Sequence, residues 1–243
     1  MTGMYHSELL KTRTGRAPIG TFLGGLAMCL LTAYGFLTEG QKNPISLTDG
    51  TTTGEMVRGW MMMMLFAAVL AAILVTREFG AGTIGRSVLM AGRDNVFRVK
   101  MTVILIIGLV LGVLTSALAA ATTYLMLNAS HGSVTWTTDA TYSALGVGGC
   151  VVLSAVAGGL VGWIMRNTTL ASVVIVVSYV VLDPAIQRVV PGVAKYLFSI
   201  ALTSLYGDPK PDLLSRPAAL AVCLVWIVAL GLLARTLLHR KEV

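Results

Sequence analysis

Six apolar runs recur from one end of the sequence to the other, at 17–37, 59–75, 101–127, 144–165, 170–182 and 218–238, with no long polar stretch between them. A bilayer core of about 30 Å takes roughly 20 helical residues, and hydrocarbon leaves no partner for an unpaired backbone amide, so each run reads as a membrane-spanning helix. The fifth run crosses only if the helix extends beyond 182. With 56% hydrophobic and 12% charged residues, against roughly 25% charged in an ordinary globular domain, residues 1–243 read as a single all-α integral membrane domain.

The net charge of +7 does not point to nucleic acid, because the basic residues stand in short clusters between apolar runs and not along one polar face. They read as topology signals. With the N-terminus inside, twelve of the 18 Lys and Arg fall on the cytoplasmic side: Lys11, Arg13, Arg16, Arg77, Arg86, Arg93, Arg98, Lys100, Arg166, Arg235, Arg240 and Lys241. Both termini are therefore expected in the cytoplasm, and Arg58, Arg188 and Arg216 with Asp139, Asp183 and Asp208 on the other side. The first run follows basic residues as a signal peptide does, yet it is longer than a signal core and lacks an A-x-A site, so it reads as a permanent span. Residues 1–16 are expected to be cytoplasmic or interfacial, with Tyr5 and Leu9 one helical turn apart.

Several chemistries are excluded. No G-x-x-x-x-G-K-[ST] loop occurs, so the chain does not cradle ATP in the usual way. Gly146, Gly148 and Gly149 lie in membrane-apolar sequence with no strand before them. His6, His131 and His239 occupy separate segments assigned to both sides of the membrane, and Cys29, Cys150 and Cys223 stand apart inside apolar runs, so neither a metal centre nor a catalytic residue is expected. Four consecutive methionines, Met61 to Met64, point around a helix and read as packing or lipid contact, not as a copper relay. Asp, Glu, Lys and Arg fall at or outside the span ends apart from Arg235 in the last turn, which disfavours coupling to an ion gradient.

Helices in lipid associate through close backbone approach, which small residues permit. Gly20 with Gly24, Gly108 with Gly112, and Gly158 with Gly162 each form a G-x-x-x-G pair and are expected to pack the first, third and fourth spans.

The polar loop 76–100 is basic and long enough to hold structure of its own. Gly80 and Gly82 break the chain after the second span, Thr83 can cap a short helix with Ile84, Val88 and Leu89 roughly on one face, and Gly92 ends it. Such a helix, with Arg86 and Arg93 near its ends, suits a membrane surface or a protein groove equally well. Between the fifth and sixth spans, Asp183, Pro184, Pro191 and Gly192 are expected to interrupt helix, and 194–206 carries an apolar run too short to cross.

The loop resembles the motif of ABC-2-type permeases, roughly E-x-x-x-G-T-I, an apolar turn, a basic residue and a closing lysine, through Glu78, Gly82, Thr83, Ile84, Leu89, Arg93 and Lys100. The tail from Leu237 to Val243 resembles the endings of actinobacterial members. The resemblance implies six transmembrane helices, a cytoplasmic coupling helix, and short re-entrant outer helices within 183–217. It also implies that Glu78, Gly82, Thr83, Ile84, Arg86, Val88, Leu89 and Arg93 couple the chain to two ATP-binding-cassette subunits. These carry ATP and Mg, with none in this chain, and a second permease copy completes the path in the bacterial plasma membrane. The expected function is export of an amphipathic or hydrophobic cargo such as a peptide antibiotic, a drug-like metabolite or a lipid-linked molecule. Two alternatives remain: an immunity or sensor subunit that binds a toxic peptide without moving it, and a stand-alone ion-coupled carrier.

Overall fold

The computed structural model describes residues 16–42, 50–131, 135–210 and 212–240. The interfacial helix expected within 4–11 and the last tail residues, 241–243, lie outside them. The described residues form α1 (Arg16–Lys42), α2 (Thr51–Gly80), α3 (Thr83–Ala91), α4 (Arg93–His131), α5 (Thr138–Met165), α6 (Thr168–Val189), α7 (Pro191–Ala194), α8 (Phe198–Leu205) and α9 (Arg216–Arg240), with no strand among them. Six of these, α1, α2, α4, α5, α6 and α9, are long and apolar enough to cross a membrane. The protein is an all-α integral membrane protein.

Local chemistry sets the ends. The Thr137 hydroxyl accepts from the Ala140 N–H and opens α5; Asn167 does the same for α6 through the Leu170 N–H. Between those two helices Arg166 adopts a left-handed conformation, φ 54°, which closes α5 in a very short turn. Helix α2 begins well before its apolar run, after Gly50 at φ 80°, and passes through a 3-10 turn at Gly59–Met61. Arg58 is consequently inside a helix, where its Nη2 donates to Asp139 and its Nε to Ser143 Oγ at 3.3 Å.

The centre is the seam between α2, α4 and α5. A Cβ placed on Gly158 would overlap the backbone of Ala68, and one on Gly162 would lie 3.1 Å from the Ala72 carbonyl oxygen. Across the other side of α5, Gly108 and Gly112 of α4 face Ala155, Val152 and Gly148. On α1 the pattern divides. Gly24 faces the Phe66 ring at 3.3 Å, whereas Gly20 has nothing within 4 Å of its Cβ position. The expected packing role of Gly20 is not met among the described residues: spacing places it one turn from Gly24, but no described helix reaches that level of the α1 surface.

The fifth span differs most from expectation. Pro184 does not interrupt it: a π-helical turn at Ser178–Leu182 joins two α-helical stretches, and the helix continues to Val189. Wider i→i+5 bonding is suited to a proline, which lacks an N–H and crowds the carbonyl four residues back. The break falls at Val190, φ −137° and ψ 73°, before Pro191. Helix α8 is not laid on the surface; Ser199, Ile200, Ala201, Leu202 and Ser204 are buried, and the Cys150 thiol donates to the Leu202 carbonyl at 3.2 Å.

Candidate coupling site at the basic end

Two left-handed glycines bracket α3, Gly82 at φ 63° and Gly92 at φ 80°, a backbone region that glycine enters without the Cβ penalty. Gly82, not Thr83, occupies the N-cap position; the Thr83 side chain makes no cap bond and reaches the Glu78 carbonyl at 3.4 Å. The expected threonine cap is thereby corrected, because Gly82, left-handed after a right-handed Ala81, already takes the cap position one residue earlier.

At the base of this excursion Glu78, in the last turn of α2, meets Lys100 of α4 with Nζ 2.8 Å from Oε1. Both side chains are buried. A desolvated pair of this kind tolerates the loss of one partner poorly, so it ties the two helices together where α3 leaves and rejoins the bundle. Glu78 thus acts as a brace within the chain and presents little surface to any partner.

The faces of α3 also differ from the sequence reading. Ile84 is 5% exposed and Val88 half-buried, both directed into the bundle, whereas Leu89 and Met90 are 88% and 84% exposed. At about 100° per residue, Leu89 stands about 140° around the helix from Ile84, so the two do not share a face. Gly82, Thr83 and Arg86 are exposed with Leu89. The coupling set accordingly divides into an outer group, Gly82, Thr83, Arg86 and Leu89, and an inner group, Glu78, Ile84, Val88 and Arg93.

The inner group is joined to the far end of the chain. Arg93 Nη1 donates to the carbonyls of Leu238 and His239 at 3.4 and 3.2 Å, and Arg166 Nη2 donates to that of Leu237 at 3.0 Å. These cations meet the last carbonyls of α9, which have no intrahelical donor and carry the negative end of the helix dipole. Asp94 lies 3.3 Å from Arg235 Nε and 3.4 Å from His239 Nε2. Desolvation, and then the Arg93 charge, lower the Arg166 pKa from its ordinary value, while its guanidinium rests 5.5 Å above the Phe79 ring. Phe79 and Phe97 in turn pack on Trp163.

Sequence reasoning missed Met90, Asp94 and Arg166 as members of this site. The apolar pair Leu89-Met90 beside Gly92 was a signal for Met90; nothing local announces that Asp94 and Arg166 meet the end of α9.

At the opposite end, Met61, Met62 and Met64 border one cleft of about 320 Å³ with Tyr179, Ser199 and Tyr206, and the Tyr206 hydroxyl donates to the Met61 sulfur at 2.8 Å. The expectation that the methionines point in all directions is corrected for these three, because flexible thioether chains from neighbouring positions converge; Met63 is buried instead, near Gly25. Among the described residues no group of His, Cys, Asp or Glu gathers as metal ligands.

A helical bundle of six crossing-length helices, with a short braced helix presented beyond one end, defines a multi-pass membrane protein. A family model described as ABC-2 family transporter protein matches residues 5–183. The chain belongs to that family and is an ABC-2-type permease, a transmembrane component of an ABC transporter. Neither the curated proteins nor the solved structures contain a match to it.

Proposed function

We propose that this permease works in an ATP-binding-cassette exporter of the bacterial plasma membrane, with α3 as its coupling helix and both termini cytoplasmic. Leu89 and Met90 carry the reading: two large apolar side chains stand almost fully exposed beyond the end of a membrane bundle, on a helix whose base is fixed by a buried ion pair. Exposed apolar residues of this kind suit a groove on a partner.

Two ATP-binding subunits, carrying ATP and Mg, dock on the α3 helices of a permease pair formed by two copies of this chain or by this chain and a similar permease. Their closure pushes α3. The push passes through Ile84 and Val88 into α2 and α4, and through Arg93 and Asp94 into the end of α9, biasing the bundle between inward-open and outward-facing or closed forms. The permease does no ATP chemistry; it supplies the path for an amphipathic or hydrophobic cargo.

Affinity purification of the tagged chain from its native membrane tests the partnership. A co-purifying cytoplasmic protein with nucleotide-binding motifs is expected. A chain recovered alone after gentle solubilisation and crosslinking contradicts it. Transport measured with hydrolysis-deficient ATP-binding subunits separates export from toxin sensing, since only export stops.

A further inference from the structure

Asp183 lies within the fifth long apolar helix, directly after the π-helical turn, and borders a partly open cavity of about 280 Å³ lined by α2, α5, α6, α8 and α9. The sequence alone places Asp183 just past the end of the apolar run; in the structure the helix continues to Val189, so Asp183 lies within the helix. Its Oδ2 accepts from the buried Ser199 hydroxyl. Among the described residues no Lys, Arg or His forms an ion pair with it. A partly buried carboxylate beside an apolar cavity, with no cation paired to it, is costly.

The walls supply the complement. Tyr179, Phe198 and Trp226 border the same cavity, with the Tyr179 and Phe198 rings edge-to-face at 6.4 Å. The Tyr179 hydroxyl is anchored on Ser154 at 3.3 Å, and the Trp226 indole N–H on the Tyr196 carbonyl at 2.9 Å. With their polar groups engaged, the rings offer π-faces, which attract cations. Ala68 and Gly158, in close contact with each other, form an apolar floor.

We infer that this cavity is a recognition site for an ammonium group on an apolar body, with Asp183 as counter-charge and Tyr179, Phe198 and Trp226 as its aromatic surround. Tyr179 and Asp183 stand four residues apart, on one face of α6, and so border the same cavity. Calling the occupant cargo rests on the exporter reading; binding itself needs neither ATP nor a partner. The same ammonium chemistry is found on free organic cations and on ethanolamine lipid headgroups.

The test is binding of benzyltrimethylammonium and of neopentylbenzene, its neutral isostere, to the full-length permease in nanodiscs of phosphatidylglycerol, which carries no ammonium. Saturable binding of the cation at least about tenfold tighter than the isostere is expected. Asp183→Asn, which keeps an acceptor for Ser199, should abolish that preference and leave the isostere unchanged. Adding phosphatidylethanolamine to the nanodiscs separates the sources: competition identifies the lipid headgroup as an occupant, and undiminished binding identifies a free cation. Equal binding of cation and isostere to the unsubstituted protein, or no cation binding, overturns the inference without a variant having to fold. Neither result touches the docking of α3.

Discussion

The two ends of the bundle are closed in different ways. At the basic end, long charged side chains reach between helices: Glu78 to Lys100, Arg93 and Arg166 to the last carbonyls of α9, Asp94 to Arg235. The opposite end also has charged ties, from Arg58 and Arg216 to Asp139, but there a whole helix, α8, is in addition set into the bundle, with Gly146 so close that a Cβ there would overlap the backbone of Leu205 and Tyr206. Side-chain ties can break and re-form in another register, whereas an inserted helix moves only if the packing around it opens. In the proposed mechanism the basic end receives the push, and the inserted helix at the opposite end resists it until the bundle itself changes.

The sharpest way to break this contrast is to remove a tie. Lys100→Met breaks a buried ion pair and should lower stability by about 3–5 kcal/mol, read as the unfolding midpoint in mixed micelles. Substituting Glu78→Leu in the same chain should recover a large part of the loss. No loss in the single variant would mean that the pair does not brace α3.

The next effect falls on assembly, not on folding. Leu89→Asp with Met90→Asp should weaken association with the ATP-binding subunits by about 2–4 kcal/mol, measured by co-purification and transport, while unfolding shifts by less than about 0.5 kcal/mol. Loss of folding would place those side chains in the bundle and not on its surface.

Gly158→Leu should cost about 1–3 kcal/mol through overpacking against Ala68, measured by thermal unfolding in detergent. Gly20→Leu should change the stability of the isolated subunit by less than about 0.5 kcal/mol, because no described residue lies within 4 Å of its Cβ position. A similar loss in both would erase the distinction between the two G-x-x-x-G pairs.

The six spans were legible because length and apolarity are properties of the chain itself. The bounds of α3 were legible for the same reason: Gly82 and Gly92 adopt backbone conformations that punctuate helix wherever they occur. Orientation was less so. Leu89 and Ile84 are both apolar and near in sequence, and only the positions of α2 and α4 decide which is covered. Pro184 reads as a helix breaker until a π-helical turn precedes it, and the helix then runs on through Asp183 to Val189. Arg93 and Arg166 reach the end of α9 through contacts between residues 71 to 146 positions apart, a separation that spacing rules do not address.

The most direct test is site-specific crosslinking in native membranes. Cys29, Cys150 and Cys223 are all buried, so a thiol introduced by Leu89→Cys is the accessible one among the described positions. The account predicts that this variant crosslinks to an ATP-binding subunit, while Ile84→Cys, facing the bundle, does not. A Leu89→Cys chain that reacts with a water-soluble maleimide yet crosslinks to no ATP-binding subunit would contradict α3 as the docking helix.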